Sequence, residues 1–397
     1  MTRRGALVVA AVIAIAGALG AFILLRPRPC DGVRLRPGSD VASVVNRDNA
    51  GTTFCFAPGS YSLLETLVPQ DGDRFFGADR SLLDGGDELE SAFESTASDV
   101  VIRGFVIERF ASPRQHAAIE AKGAEGWTIE GNEVRFNAAA GITVGSHSVA
   151  RSNYVHHNAQ LGIRAPDTRG TIIEANEIAY NNPEVEFNPG FDAGGAKFAN
   201  TRRLVVRGNF VHDNRGNGLW FDIDNVDALI EENVIEDNEG QGIFYEISYD
   251  AVIRSNEVRG NVRVRDGEEA CNLLYGAGIL VAHSANVEVY DNVIEDNCNG
   301  IGGIQQDRGS GDLGPHLLEN LHVHDNTIVM SRGRSGVAQS YDSAPDAFDE
   351  SRNNRFVDNV YVVPDGSESW WSWEGGELTW SEWRAVGQDE GGELRES

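Results

Sequence analysis

Two short segments in the middle of the chain, Gly218-Leu219-Trp220-Phe221-Asp222 and Gly242-Ile243-Phe244-Tyr245-Glu246, share one form and each ends on a carboxylate. At equivalent positions of neighbouring strands, two such residues would have backbones about 4.8 Å apart. Like charges that close raise one of the two pKa values, so the pair can hold one proton near neutrality. That is the acid and base arrangement of glycoside hydrolysis, and a carboxyl separation of about 5 Å would favour retention of configuration. A third segment, Gly195-Ala196-Lys197-Phe198-Ala199, puts Lys197 where the other two carry Trp220 and Phe244. An amine there can neutralise a carboxylate, bind a uronate or, with a lowered pKa, act as the base of a lyase. Asp222, Glu246 and Lys197 are therefore the candidate catalytic residues. Trp220 and Phe244 offer apolar faces to a sugar ring, and Asp192, Asp224, Arg164 and Tyr249 complete the candidate binding set. Calcium held by Asp222, Asp224 and Glu246 is a rival use of these carboxylates, because oxygen ligands on a rigid face suit it. No Asp-rich calcium loop motif is present, and the acid and base chemistry requires no cofactor.

What would position these residues is a repeat. An Asn-x4-Asn pair follows a short apolar run seven times, at Asn132/Asn137, Asn153/Asn158, Asn176/Asn181, Asn209/Asn214, Asn233/Asn238, Asn256/Asn261 and Asn292/Asn297. Degenerate copies at Phe105, Asn326 and Asn359 extend it both ways. First asparagines lie 21 to 24 residues apart where the repeat is bare and 33 to 36 apart where it carries an insertion. Apolar and polar residues alternate at period two, with no sustained helical period, so the units are strands. About 22 residues with two or three short strands and asparagine or glycine turns make one coil of a parallel β-helix. Asparagines of successive coils would then sit in register and bond along the stack.

Aligned on their leading glycines, the strands that follow each second asparagine are apolar or small at positions two and four, which predicts that these point inward. Positions three and five then face solvent, carrying Arg164, Lys197, Trp220, Asp222, Phe244 and Glu246, with Asp224 two residues further along the same face. Insertions at 182–193 and 262–277 enter just before this strand, and 307–316 follows it, so three loops would rim one face as a groove. They bring Glu184, Glu186 and Asp192; Arg265, Asp266, Glu268 and Glu269; and Gln306, Asp307 and Arg308. The histidines near the repeat strands, His156, His157, His212, His322 and His324, read as surface or stacking residues.

Over roughly residues 33 to 363 the chain resembles the right-handed parallel β-helix proteins of the pectate-lyase-like superfamily. The runs Asp192-Ala193-Gly194-Gly195-Ala196-Lys197-Phe198, Gly218 to Asn225 and Gly242 to Asp250 look like those of secreted bacterial β-helix proteins. The resemblance implies an all-β, single-stranded right-handed solenoid. It implies no single activity, because similar folds serve lyases, glycoside hydrolases, epimerases, phage spikes and adhesins.

The rest of the chain bounds where and on what such a solenoid would act. There are 33 basic against 61 acidic residues, a net charge of −28, which argues against nucleic acid as a partner. Only Lys122 and Lys197 are lysines, so arginine supplies nearly all the positive charge. Residues Ala6 to Leu25 carry no charge and are long enough to span a bilayer, so 1–28 is either a membrane anchor or a cleaved signal segment. Both place the body outside the cytoplasm, anchored to the membrane or secreted. Four cysteines fit two disulfides in an oxidising compartment, and Cys30 with Cys55 and Cys271 with Cys298 is the expected pairing, each pair being about one repeat apart. Residues 29–365 would form the solenoid with its N-terminal cap. Residues 366–397, with five of the seven tryptophans, would form a C-terminal lid and a loose acidic tail after Gly387. The expected function is binding, and cleavage, of an extracellular polysaccharide. A non-catalytic glycan-binding or structural surface protein and a metal-assisted lyase are the alternatives.

Overall fold

A computed structural model describes residues 30–262, 271–339 and 346–397. The chain divides into Met1–Asp31 and Gly32–Ser397, and the second unit carries all the architecture below. The apolar run from Ala6 to Leu25 lies outside the described residues, among which no helix is long and apolar enough to cross a membrane.

Each full coil contributes three short strands, as in Val205–Arg207, Phe210–His212 and Asn217–Asp222. Each strand lies parallel to its equivalent one coil later, Val205 opposite Leu229, Phe210 opposite Val234 and Leu219 opposite Ile243. Among the described residues the third strands form one 12-stranded sheet, from Phe93–Glu94 to Gly376–Leu378. The first and second strands merge into another sheet through the long strands Arg74–Asp84 and Val101–Glu108. Inward positions stack aliphatic on aliphatic, Val206 on Ile230 and Val211 on Ile235, and they join one core that runs the length of the solenoid.

The asparagines stack as the repeat predicts. Asn209 donates from Nδ2 to Oδ1 of Asn233 at 3.0 Å and to the Ile173 carbonyl at 2.9 Å, and its backbone N–H donates to the same Oδ1 at 3.0 Å. The pattern recurs from Asn132 to Asn359, and a second ladder runs from Asn137 to Asn297. Each ladder asparagine follows a left-handed residue such as Asp213 (φ 52°) or Glu232 (φ 57°). That backbone costs a non-glycine residue about 1–2 kcal/mol, and the bonds of the buried amide offset it. Phe105 and Phe110 start the ladders with backbone N–H groups alone, donated to Asn132 and Asn137.

At the far end the ladder terminates on Asp389. Its Oδ1 accepts from the backbone and side chain of Asn359, and its Oδ2 accepts from the Tyr361 hydroxyl at 2.8 Å and Trp383 Nε1 at 2.9 Å. The tail beyond Gly387 is therefore not loose. Asp389 is fully buried and Glu393–Glu396 pairs with Val360–Val363 as a last parallel strand. Trp371 and Trp383 are fully buried in the main core, which excludes their rings from sugar binding. At the other end a short helix, Val41–Val45, buries Val41, Ala42 and Val45 in the same core. Cys271 is bonded to Cys298, as the local pairing predicted, and Cys30 and Cys55 are both disulfide-bonded.

All four of Asp389's donors need an acceptor, so an amide at this position would turn a donor toward two donors. Asp389→Asn, though isosteric, is expected to lower stability by about 2–4 kcal/mol, read as a fall in the urea midpoint, whereas Asn233→Asp would disturb the ladder at its middle instead.

Candidate functional site

The candidate residues lie on the third strand, in the predicted register: Arg164 opposite Lys197, Lys197 opposite Trp220, Trp220 opposite Phe244 and Asp222 opposite Glu246. Positions two and four enter the core, with Leu219, Phe221, Ile243 and Tyr245 fully buried. Positions three and five leave the sheet on its outer side, but not into solvent. Trp220, Asp222, Phe244 and Glu246 are only 4%, 8%, 5% and 7% exposed. A second apolar cluster outside the sheet, including Trp220, Phe244, Leu274, Leu280 and Ile304, explains this burial. Leu274 belongs to the second insertion, which Cys271 ties to Cys298 at the foot of the next strand, Asn299–Gln305.

Four charges and an indole form one network. Lys197 Nζ lies 2.8 Å from Asp222 Oδ2 and 3.7 Å from the centroid of the Trp220 ring, and it donates to the Phe191 carbonyl. Phe244 stacks on Trp220 from the following coil, with centroids 5.6 Å apart. Lys197 and Phe244 thus both pack against the ring that Trp220 was expected to offer a sugar. Its Nε1 donates to Glu246 Oε2 at 3.2 Å, and Arg308 of the third insertion reaches Glu246 Oε1 at 2.6 Å. Burial, and then the charge of Asp222, push the Glu246 carboxyl up, opposed by Arg308 and the indole. The two carboxylates are adjacent as predicted, but each has its own cation.

Other expected binding residues hold the walls of the site. Asp224 does not continue the outer face, because Ile223 and Asp224 are both left-handed (φ 63° and 52°) and end the alternation after Asp222. Its carboxylate meets His316 Nε2 at 3.1 Å instead. The Tyr249 hydroxyl donates to the Gly314 carbonyl at 2.6 Å and accepts from the Gly311 N–H at 3.2 Å, fastening the small antiparallel hairpin of Ser310–Gly311 and Gly314–Pro315 that follows Arg308. Asp192 is buried and paired with Arg114 at 2.7 Å. Arg164 is buried too, and burial pushes its guanidinium down against the charges of Glu120, Asp167 and Asp192. The expected calcium set is not assembled, since Asp222, Asp224 and Glu246 turn to Lys197, His316 and Arg308 in turn.

A cavity of about 380 Å³ opens above Trp220, Phe244 and Glu246. Pro189 and Gly190 of the first insertion and Tyr275 of the second form walls, and Asn217 and Gln241 add polar groups. All three insertions therefore meet at this face, as expected, although residues 263–270, with Arg265, Asp266, Glu268 and Glu269, lie outside the described residues. Three contributors were not legible in the sequence. The ring of Phe191, a residue 57% exposed, is centred 5.6 Å from Lys197 Nζ, while Tyr275 and Gln241 line the cavity. Nothing local marks them, because their places depend on where the insertions fold.

Residues 117–267 match the family of right-handed β-helix regions. No curated protein matches the chain in sequence. Among solved structures, the A-module of mannuronan C-5 epimerase AlgE4 from Azotobacter vinelandii is similar with a TM-score of 0.57 at 16% identity, over 82% of this chain and 87% of that one. XylC in complex with xylose is similar with a TM-score of 0.56 at 11% identity, over 90% and 82%. The catalytic domain of a GH87 α-1,3-glucanase in complex with nigerose gives 0.54 at 13%, over 93% and 68%. The chain therefore has the right-handed parallel β-helix fold, and its residues 117–267 carry the sequence pattern of right-handed β-helix regions.

His283, fully buried beside Gln306, has its imidazole pushed down to about 3 by burial and then by Arg308 and His316. The unfolded ring takes up a proton below pH of about 6.5 and the folded one does not, so its stabilising contribution is complete above that pH and is lost as pH falls toward 3. His283→Gln is expected to flatten the fall in urea-unfolding free energy between pH 6.5 and 4.5 by roughly 1.4 kcal/mol per pH unit; superimposable slopes would refute this.

Proposed function

We propose that the protein binds and cleaves an extracytoplasmic polysaccharide at the cavity above Trp220. One observation carries this reading: Glu246, a carboxyl with a raised pKa, lines the cavity and stands in strand register with Asp222, a carboxylate paired to Lys197. Environments that treat two neighbouring carboxyls differently are what acid and base catalysis uses. Glu246 would give its proton to the glycosidic oxygen, and Asp222 would activate water or attack the anomeric carbon. Lys197 would neutralise Asp222. The amine of Lys197 is engaged by Asp222, the Trp220 ring and the Phe191 carbonyl, which favours hydrolysis over a lyase reaction that needs it free. The carbohydrate proteins that share the fold, an epimerase, an α-1,3-glucanase and a xylose-binding protein, support a polysaccharide substrate class. Two disulfides support an oxidising compartment.

The test is product release from a panel of neutral and acidic polysaccharides. Asp222→Asn and Glu246→Gln are each expected to lower kcat/KM by about 10²–10⁴-fold while retaining binding. Binding without turnover by the wild type would leave a non-catalytic glycan-binding protein. Because Glu246 must be protonated to act as the acid, activity should extend above the usual carboxylate range and fall as pH rises through its pKa. Arg308→Met removes a cation that favours the ionised form, so it should move that alkaline limb to higher pH.

A further inference from the structure

On the opposite sheet, away from the cavity, Glu288, His322 and His324 bring one potential ligand atom each within 4.8 Å of one another. Glu288 lies in strand Ala285–Tyr290, and the two histidines bound the next strand of that stack, His322–His324. Residues two apart on a strand share a face, and the register sets Glu288 directly opposite His322. His324 Nε2 is 3.3 Å from Glu288 Oε1, and His322 Nδ1 is 4.0 Å from the same oxygen. The first distance is the edge of a tetrahedron with bonds of about 2.0–2.1 Å, the zinc geometry for nitrogen and carboxylate ligands; the second needs a side-chain shift of under an ångström.

The surroundings orient the ring as a metal site requires. His324 Nδ1 is 2.7 Å from Asp325 Oδ2, so with a metal bound Nδ1 would keep its proton on Asp325 and Nε2 would give its lone pair to the ion. Tyr290 stacks on His324 with an interplanar angle of 10°, fixing the plane of the ring. The carboxylates of Glu288 and Asp325 outweigh Arg355, which lies opposite His322 on the following strand. His212 has a similar setting, with Asp213 at 2.8 Å and Glu177 at 3.5 Å, but Phe210 stands where His322 would be, so a third ligand is lacking.

We propose that Glu288, His322 and His324 bind a divalent transition-metal ion of the zinc class, leaving one position to solvent. The ion would join neighbouring coils on either side of the segment that carries Arg308, and so stiffen the segment whose arginine pairs with Glu246. The test is titration of the chelator-treated full chain with Zn²⁺ by calorimetry, beside thermal melts with and without the ion. One ion per chain is expected, with a raised melting midpoint. His322→Ala and His324→Ala should each weaken binding at least tenfold, and Asp325→Asn by about 10–100-fold through loss of orientation. His212→Ala should bind as the wild type does. Circular dichroism and the melting midpoint in chelator establish that each variant is folded before its affinity is compared. Absence of stoichiometric binding by the wild type, or undiminished binding by the His322→Ala/His324→Ala double variant, would overturn the proposal.

Discussion

Everything in this molecule depends on the coil-to-coil register of parallel strands, and the buried asparagine amides enforce it. A parallel stack has no hairpin turns to set its alignment, and slippage by one residue would turn every inward side chain outward. Asn209 meets this constraint with a single side chain: its Nδ2 donates to Asn233 in the next coil and to the Ile173 carbonyl, and its Oδ1 accepts from Asn176 in the coil before. Because each asparagine both donates and accepts, the ladder has a direction and needs a different residue at its end. Asp389 supplies only acceptors, and four donors converge on it.

Register is also what assembles the candidate site. Lys197, Trp220, Phe244 and Glu246 come from three successive coils and meet because the strands that carry them are aligned. The rigid sheet supplies a floor whose side chains hold one another: Lys197 and Phe244 on the indole, and the indole on Glu246. Specific shape comes from the three insertions, which fold over that floor and exclude water from it. The consequence is electrostatic. Glu246 is desolvated enough for its carboxyl to rise, although Arg308 sits 2.6 Å away. Arginine is used in the same way over the outer surface, where Arg207 reaches Glu174 and Arg254 reaches Glu231 across neighbouring coils, each at 2.7 Å.

Much of this was legible beforehand, and the misses share one cause. The asparagine spacing and the period-two pattern are local signals of a global register, so the coil, the strand alignment and the adjacency of Asp222 and Glu246 could be read directly. The pattern also gave the outward direction of Trp220 and Phe244 correctly, but direction is not exposure. Whether an outward side chain meets water depends on Leu274 and Arg308, which lie outside the repeat and are positioned by a disulfide and by the hairpin fastened to Tyr249. Asp224 was misplaced for a related reason: two left-handed residues at the corner break the alternation, and neither is a glycine that would have signalled it.

The sequence by itself therefore determined the solenoid, its register and which residues share a face, because each coil repeats the same short-range pattern and the stack adds only translation. Tertiary structure alone decided which of those faces is open. The insertions have no period, their lengths differ, and their conformations answer to contacts made across several coils, such as Arg308 with Glu246 and His316 with Asp224. Such contacts join residues 62 and 92 positions apart, a separation at which no local pattern in the chain records the partner.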